Sequence, residues 1–185
     1  MPLIEFVPGH LWLKDYPIHF AGCDFDARMA VIRVSATELM IHSPCEIDSA
    51  TRTVISDLGD VAYIVAPGSY HHIHIPSARA AFPEADTYIC PGIERKRPDL
   101  DFDWFLGDRP PAAWAGVLDQ VLVRGNKFIW EVVFFHKPSK TLQRILEWDF
   151  DKIVLSHGDV IETNAKSMAQ EGWEKPLSVW GANSY

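Results

Sequence analysis

The sequence predicts an α/β domain, because short apolar strands alternate with helix-like segments along most of the chain. Its clearest strand is residues 61–65, five apolar residues in a row, as in strands that helices cover on both faces. This strand ends at Pro67, and a helix is predicted from Ile75 to Ala81 with Pro76 in its first turn. With 185 residues, 48% of them hydrophobic, the chain is long enough to form one domain (1–185) with its own core.

The remaining elements are predicted from alternation, apolar runs and turn residues. Strands are predicted at residues 11–13, 29–34, 39–42, 87–90, 117–123, 128–135 and 152–155. Further helices are predicted at residues 46–58, 141–148 and 165–173. A Gly125-Asn126 turn is expected between two of the strands. Residues 94–113 are polar and rich in proline and acidic residues, and this composition predicts a long surface loop.

Charge and cysteine content limit the binding partners and the cellular location that we expect for the protein. The net charge of −8 argues against a duplex nucleic acid partner and against an anionic membrane surface. The three cysteines, Cys23, Cys45 and Cys90, fit neither a zinc knuckle nor a CxxC redox pair, and they predict reduced thiols. The sequence shows no secretory signal pattern and no run that approaches the ~18 apolar residues of a membrane span. We therefore expect a cytoplasmic protein that acts on a small-molecule substrate or ligand.

Histidines follow three separate predicted strands, at the point where each strand ends. His71, His72 and His74 follow the first, His136 ends the second, and His157 follows the third. Ligand sites in open α/β sheets form outside the carboxyl ends of strands, so we expect these histidines to meet at one sheet edge. Neutral imidazole is a good ligand for zinc, iron, copper and nickel. The alternative is that each is an ordinary hydrogen-bonded surface residue.

Other residues and motifs give weaker evidence of a functional site. His42 also ends a predicted strand, and we expect an ordinary hydrogen-bonded role for it, whereas His10 and His19 carry no signal. Ser69 lies beside the histidine pair but lacks the GxSxG pattern of a nucleophilic serine. The acidic residues at 99–103 are typical of a solvated loop. The sequence contains no dinucleotide-binding glycine motif, no P-loop and no HExxH motif.

The order of these segments resembles the metallo-β-lactamase-fold superfamily, most closely a bacterial family of unknown function within it. The resemblance rests on segments such as AYIVAPGSYHHIHI, EVVFFHKPSKTL and WDFDKIVLSHGDVI, and it covers residues 5–162. It implies an αββα sandwich that is trimmed in its second half, because the strand and bridging aspartate expected after Leu142 are missing. An edge exposed by this trimming would be covered by a second copy in a homodimer.

The superfamily's metal-binding motif, HxHxDH, is degenerate in this sequence. Pro67 and Ser69 stand at the positions of its first two histidines, and His71 stands at the position of its aspartate. The usual first metal site is therefore lost, and the resemblance implies weak or absent β-lactamase activity.

The residues that remain imply one divalent metal, zinc or iron, held by His71, His72 and His157, with His136 as a catalytic residue that positions or protonates the substrate. A metal-dependent hydrolase-like enzyme would use that ion to activate water and to polarise an ester, lactone or amide. Two alternatives stay open. One is a non-catalytic member of the fold that binds a metal or ligand, and the other is a mononuclear iron redox protein.

Overall fold

The structure is a computed structural model that describes residues 1–20, 22–124, 130–139, 141–142, 152–153, 163–164 and 166–167. Within these ranges the chain forms two sheets and three helices, and residues 166–167 are also helical. The larger sheet contains, in spatial order, β1 (Ile4–Val7), β2 (Leu11–Phe20), β3 (Cys23–Arg33), β4 (Glu38–His42), β5 (Asp60–Ala66), β6 (Asp86–Ile89) and β7 (Trp104–Phe105). The smaller sheet contains β8 (Leu118–Val123), β9 (Glu131–His136), β10 (Thr141–Leu142) and β11 (Lys152–Ile153), in the spatial order β11-β10-β9-β8. The helices are α1 (Ser49–Leu58), α2 (Ile75–Ala81) and α3 (Ile93–Lys96).

Strand direction in the larger sheet decides where its loops meet. Strands β1 to β4 pair in antiparallel fashion, whereas β4, β5, β6 and β7 pair in parallel. Helix α1 connects β4 to β5 and α2 connects β5 to β6, as parallel neighbours require. The carboxyl ends of β4, β5 and β6 therefore lie at one edge of the sheet, which we call the carboxyl edge.

Alternating side chains divide the larger sheet into two apolar faces. One face packs against the smaller sheet: its buried residues include Leu11, Leu13, Ile32 and Met40, and they share a core with Leu118 and Phe134 of the smaller sheet. The other face packs with Ile55 of α1, and its buried residues include Trp12, Met29, Val31, Leu39 and Ile41. Successive side chains along a strand point to opposite faces, so each strand contributes to both apolar faces. The fold is therefore a sandwich of two sheets with helix α1 on the outside.

Several predictions from the sequence are confirmed and others need correction. The α/β sandwich, the strand at 61–65 and the helix at Ile75–Ala81 are confirmed, and the second sheet is the smaller half. The predicted loop at 94–113 instead contains part of α3 and the edge strand β7. The predicted helix at 141–148 is wrong at its start, because Thr141–Leu142 is a strand that pairs with His136 and Phe135. Its other residues and the Gly125-Asn126 turn lie outside the described residues.

Two further observations concern the predicted helix at 165–173 and membrane-spanning helices. Lys166 and Ser167 are helical, as predicted, and the other residues of the predicted helix at 165–173 lie outside the described ranges. Among the described residues, no helix has the length and apolar character needed to cross a membrane.

Candidate functional site

Four polar side chains from three parts of the chain meet at the carboxyl edge. His42 ends β4 and Ser43 follows it, while His71 lies in the loop after β5. Glu131 begins β9 and is brought to this edge because its backbone pairs with Gly68 of the same loop. We call His42, Ser43, His71 and Glu131 the His71 cluster.

His71 occupies the centre of this cluster, and its two ring nitrogens face different partners. Nδ1 lies 2.6 Å from the Ser43 hydroxyl oxygen, a strong hydrogen bond whose donor depends on the tautomer. Nε2 lies 3.9 Å from Glu131 Oε1, which is too long for a hydrogen bond. Two donors bound ~2.0–2.2 Å from one ion lie about 3–4 Å apart, so Nε2 and the carboxylate fit two ligands of one metal.

The backbone around His71 is closely fitted to the ring. A Cβ atom on Gly68 would lie 2.9 Å from His71 Cδ2, which is nearer than side chains normally approach. Only glycine at this position therefore leaves enough space for the His71 ring. Ser43 has a φ of 56°, in the left-handed region that a residue with a side chain rarely adopts. Its N–H donates to the Val65 carbonyl at 2.9 Å, which ties this turn to β5. Strained backbone of this kind is found at functional sites more often than elsewhere.

The order of burial shows what Ser43 does. Ser43 is 2% exposed, whereas the side chain of His71 is 21% exposed and that of Glu131 is 45% exposed. In a serine hydrolase triad the nucleophile faces the substrate and the carboxylate is buried behind the histidine. The order is reversed here, so Ser43 does not suit a nucleophile. Its hydroxyl instead fixes the orientation of the imidazole from behind, as the hydrogen-bond partners of metal-binding histidines do.

His42 lies deeper in the cluster than the sequence indicates. The residue is 3% exposed, and its ring packs edge-on against Phe134, with ring centroids 5.1 Å apart. Burial, and next the neighbouring His71, lowers the pKa of His42 to about 3, so the ring is neutral. Its Nε2 has no hydrogen-bond partner within the described part of the chain, so the expected ordinary hydrogen-bonded role is not met at this atom. His42 is therefore a buried, neutral neighbour of His71.

His72 follows His71 directly but has different neighbours. Burial is the main cause that lowers the pKa of His72, followed by the positive charges of Arg97 and Lys96. Its buried Nδ1 has no hydrogen-bond partner among the residues described. No three His, Cys, Asp or Glu side chains in the described ranges lie close enough together to hold a metal ion. His157 lies outside the described residues, so the predicted set of three histidine ligands stays a prediction.

The structure separates His136 from His71. Glu131 and His136 are the two ends of β9, and five residue steps of antiparallel strand span about 17 Å. His136 pairs with Leu118 at the end of β9 that points away from the carboxyl edge. Its Nδ1 lies 2.6 Å from the Ser139 hydroxyl, and burial, followed by the charge of His10, lowers its pKa to about 4. The expectation that His136 joins the His71 loop at one sheet edge is therefore wrong.

Other sequence candidates take structural roles. His74 Nδ1 lies 3.3 Å from Glu46 Oε2, and the His74 ring packs edge-on against Tyr16. The Ser69 hydroxyl donates to the Trp130 carbonyl and accepts from the Trp130 N–H, so it fastens the loop to β9. These bonds hold the backbone that carries His71.

Comparisons with known proteins identify the architecture. The model of a domain family of unknown function, DUF4336, matches residues 8–95. A search among curated proteins gives no match. Among solved structures, the DIM-1 metallo-β-lactamase exposed to ceftazidime matches with a TM-score of 0.69 and 13% identity, over 92% of this chain and 97% of that chain. The fold is that of the metallo-β-lactamases.

Two other solved structures agree. A metallo-β-lactamase from Pontibacter korlensis matches with a TM-score of 0.68 and 10% identity, over 92% of this chain and 96% of that chain. The FIM-1 metallo-β-lactamase from Pseudomonas aeruginosa, in its mono-zinc form, matches with a TM-score of 0.67 and 11% identity, over 95% of each chain. At these identities the matches establish the fold alone, and the chemistry has to be argued from the residues.

Proposed function

We propose that the protein is a metal-dependent hydrolase-like enzyme that binds one divalent ion at the His71 cluster. The observation that carries the proposal is the arrangement of His71, with Ser43 on one ring nitrogen and the Glu131 carboxylate 3.9 Å from the other. If Nδ1 donates to the Ser43 hydroxyl, the lone pair of the ring is at Nε2, on the side of the carboxylate. Imidazole with carboxylate is a ligand combination that zinc accepts, and iron is the second choice.

His71, Glu131 and His157 form the proposed ligand set. Glu131 takes the place that the resemblance gives to His72, whose ring lies among the positive charges of Lys96 and Arg97. Strand β11 runs antiparallel to β9, and therefore toward the Glu131 end, because both strands pair with β10. His157 follows Ile153 of β11 by four residues in the sequence, which makes it the third ligand we propose.

The residues around this set suit a hydrolytic site for a small substrate. A bound ion would lower the pKa of a water molecule and polarise the carbonyl of an ester, lactone or amide. Ser43 and Gly68 hold the His71 ring in place, and the more exposed Glu131 lies on the solvent side. Tyr70 and Ile73, on the same loop, are 40% and 41% exposed and offer apolar surface to a substrate. Lys96 Nζ lies 3.6 Å from the centre of the Tyr70 ring and adds a positive charge.

A second candidate function is a non-catalytic protein of the same fold that binds a metal or ligand. It is favoured by the lack of three converging metal donors within the described ranges. A mononuclear iron redox role would use the same residues, and colour or an EPR signal of the purified protein would separate iron from zinc.

Metal analysis of purified variants tests the proposal. We expect about one zinc or iron ion per chain at this site, lost in His71→Ala and His157→Ala and weakened at least tenfold in Glu131→Gln. His19→Ala is the matched control, because His19 is exposed and pairs with Asp24 at the tip of the β2–β3 hairpin. Unchanged metal content in both His71→Ala and His157→Ala would overturn the metal site.

A panel of ester, lactone and amide substrates then tests whether the protein is a hydrolase. Hydrolysis that a chelator abolishes and that Glu131→Gln reduces supports an enzyme. A protein that holds its metal but hydrolyses none of the three classes would support the non-catalytic alternative.

A further inference from the structure

The histidine pair at the opposite end of β9 is left without a role by the proposed function. His136 ends β9, and His10 lies in the turn between β1 and β2. Their ring centroids are 5.8 Å apart and the rings are tilted by 52°. We infer that His10 and His136 form a second, independent site for a single late transition-metal ion, copper(II), nickel(II) or zinc.

The distance between the rings suits two imidazoles on one ion. With metal–nitrogen bonds of ~2.0–2.1 Å, two such rings have centroids about 5–6.4 Å apart, from tetrahedral to nearly linear arrangements. The observed 5.8 Å lies inside this range, so the spacing of the two rings is compatible with one shared ion.

His136 is prepared as a ligand by its surroundings. The residue is 4% exposed, and its Nε2 is buried with no hydrogen-bond partner in the described part of the chain. A buried polar atom in this state is unfavourable, and a bound ion would satisfy it. The Ser139 hydroxyl lies 2.6 Å from Nδ1 and fixes the ring orientation, the same arrangement that Ser43 gives His71.

Both backbones are fixed by ladder and turn hydrogen bonds. The His10 N–H donates to the Val7 carbonyl, and the His10 carbonyl accepts from Arg33 N–H, each at 2.9 Å. His136 is paired with Leu118 on one side and Thr141 on the other. His10 is exposed, so an ion can reach the pair from solvent.

The chemistry of the pair selects the class of ion. Among the described residues, no Cys, Asp or Glu joins the two imidazoles as a third donor. Two imidazoles favour borderline ions over magnesium or calcium, and copper(II) binds tightest in the usual order of divalent metals. Water would complete the coordination, as two protein ligands leave two or more positions open.

Copper(II) titration of the metal-free His71→Ala protein, followed by EPR, tests this inference apart from the proposed function. In that background the His71 cluster has lost its central ligand, and we expect one copper(II) ion at the His10–His136 pair, whose EPR spectrum shows imidazole nitrogens. Adding His10→Ala should weaken its Kd at least tenfold and remove one nitrogen from the spectrum. Because His10 is exposed, that variant removes a ligand without disturbing the core.

Two controls make the result decisive. Adding His19→Ala, which removes another exposed histidine, should leave copper binding unchanged. Ser139→Ala should weaken binding without abolishing it, because it releases the ring of His136 and leaves both ligands in place. Copper binding that is equal with and without His10→Ala would overturn the inference, whatever the result at the His71 cluster.

Discussion

Replacing Gly68 by alanine adds one methyl group at the position that most directly tests the fit around His71. The new carbon would lie 2.9 Å from His71 Cδ2 and 3.5 Å from the Cγ and Cδ atoms of Glu131. Carbon atoms pack best at about 3.5–4.0 Å, so the imidazole must move by at least about 0.5 Å. The ring is held by a 2.6 Å hydrogen bond to Ser43, which such a movement lengthens or breaks.

Two costs combine in this variant. A lost hydrogen bond of this kind contributes about 0.5–1.5 kcal/mol, and overpacking costs about 1–3 kcal/mol. Because a rotation of the ring can relieve part of the clash, we expect the free energy of unfolding to fall by about 1–3 kcal/mol. At the metal, a displaced ligand whose supporting bond is lost should bind about 10–100-fold more weakly.

Urea denaturation of Gly68→Ala beside Gly116→Ala measures the first effect. Gly116 has no atom within 4 Å of an added Cβ, so its alanine variant should lie within about 0.5 kcal/mol of the parent protein. With a slope of about 2 kcal/mol per molar urea, the Gly68 variant should unfold at about 0.5–1.5 M less urea, with an unchanged slope. Equal midpoints for the two variants, together with equal metal affinities, would refute the close packing between Gly68 and His71.

Three further predictions concern single hydrogen bonds. Ser43→Ala and Ser43→Gly should both weaken metal binding about 10–100-fold, and urea denaturation should show the glycine variant as the more stable, since φ is 56° there. Trp114→Phe should lower the free energy of unfolding by about 1–3 kcal/mol, because it removes the indole N–H that donates to the buried Gln120 Oε1 at 3.1 Å; an unchanged urea midpoint would contradict this. The hydrogen bond from the Thr87 N–H, followed by the contact with Arg79, lowers the pKa of Asp103. The Asp103 carboxylate therefore stabilises the fold above about pH 4, and this stabilisation is lost as the pH falls through the lowered pKa. Asp103→Asn should lose less stability on acidification than the parent protein, and an identical loss in the two proteins would contradict this.

Local sequence patterns were enough to predict the elements that surround the site. The apolar run at 61–65 is typical of a strand that helices cover, and Pro76 in the first turn marked the start of α2. The predicted helix at 141–148 was wrong at Thr141 because pairing with His136 overrides weak helix propensity. The α3 turn and the two-residue strand β7 are too short to leave a periodic pattern in the sequence.

The candidate site was harder to predict, because the direction of β9 cannot be read from its composition. The rule that ligands gather at the carboxyl ends of strands holds for parallel neighbours such as β4 and β5. Strand β9 belongs to an antiparallel ladder and starts at the carboxyl edge, so its first residue, Glu131, reaches the His71 cluster and its last, His136, does not. Glu131 was missed because the predicted strand covers 128–135, which places this residue inside the strand, whereas β9 begins at Glu131.

Strand β9 therefore places a candidate metal ligand at each end of the sandwich. Its alternating pattern buries Val132 and Phe134 against the larger sheet, which fixes the strand and with it the spacing of its two terminal residues. At one end Glu131 meets a histidine that Ser43 orients, and at the other His136 is oriented by Ser139. Because about 17 Å of rigid strand separates these ends, a change at one should leave ligand binding at the other unaltered. The same backbone that excludes His136 from the His71 cluster thus makes it available to His10.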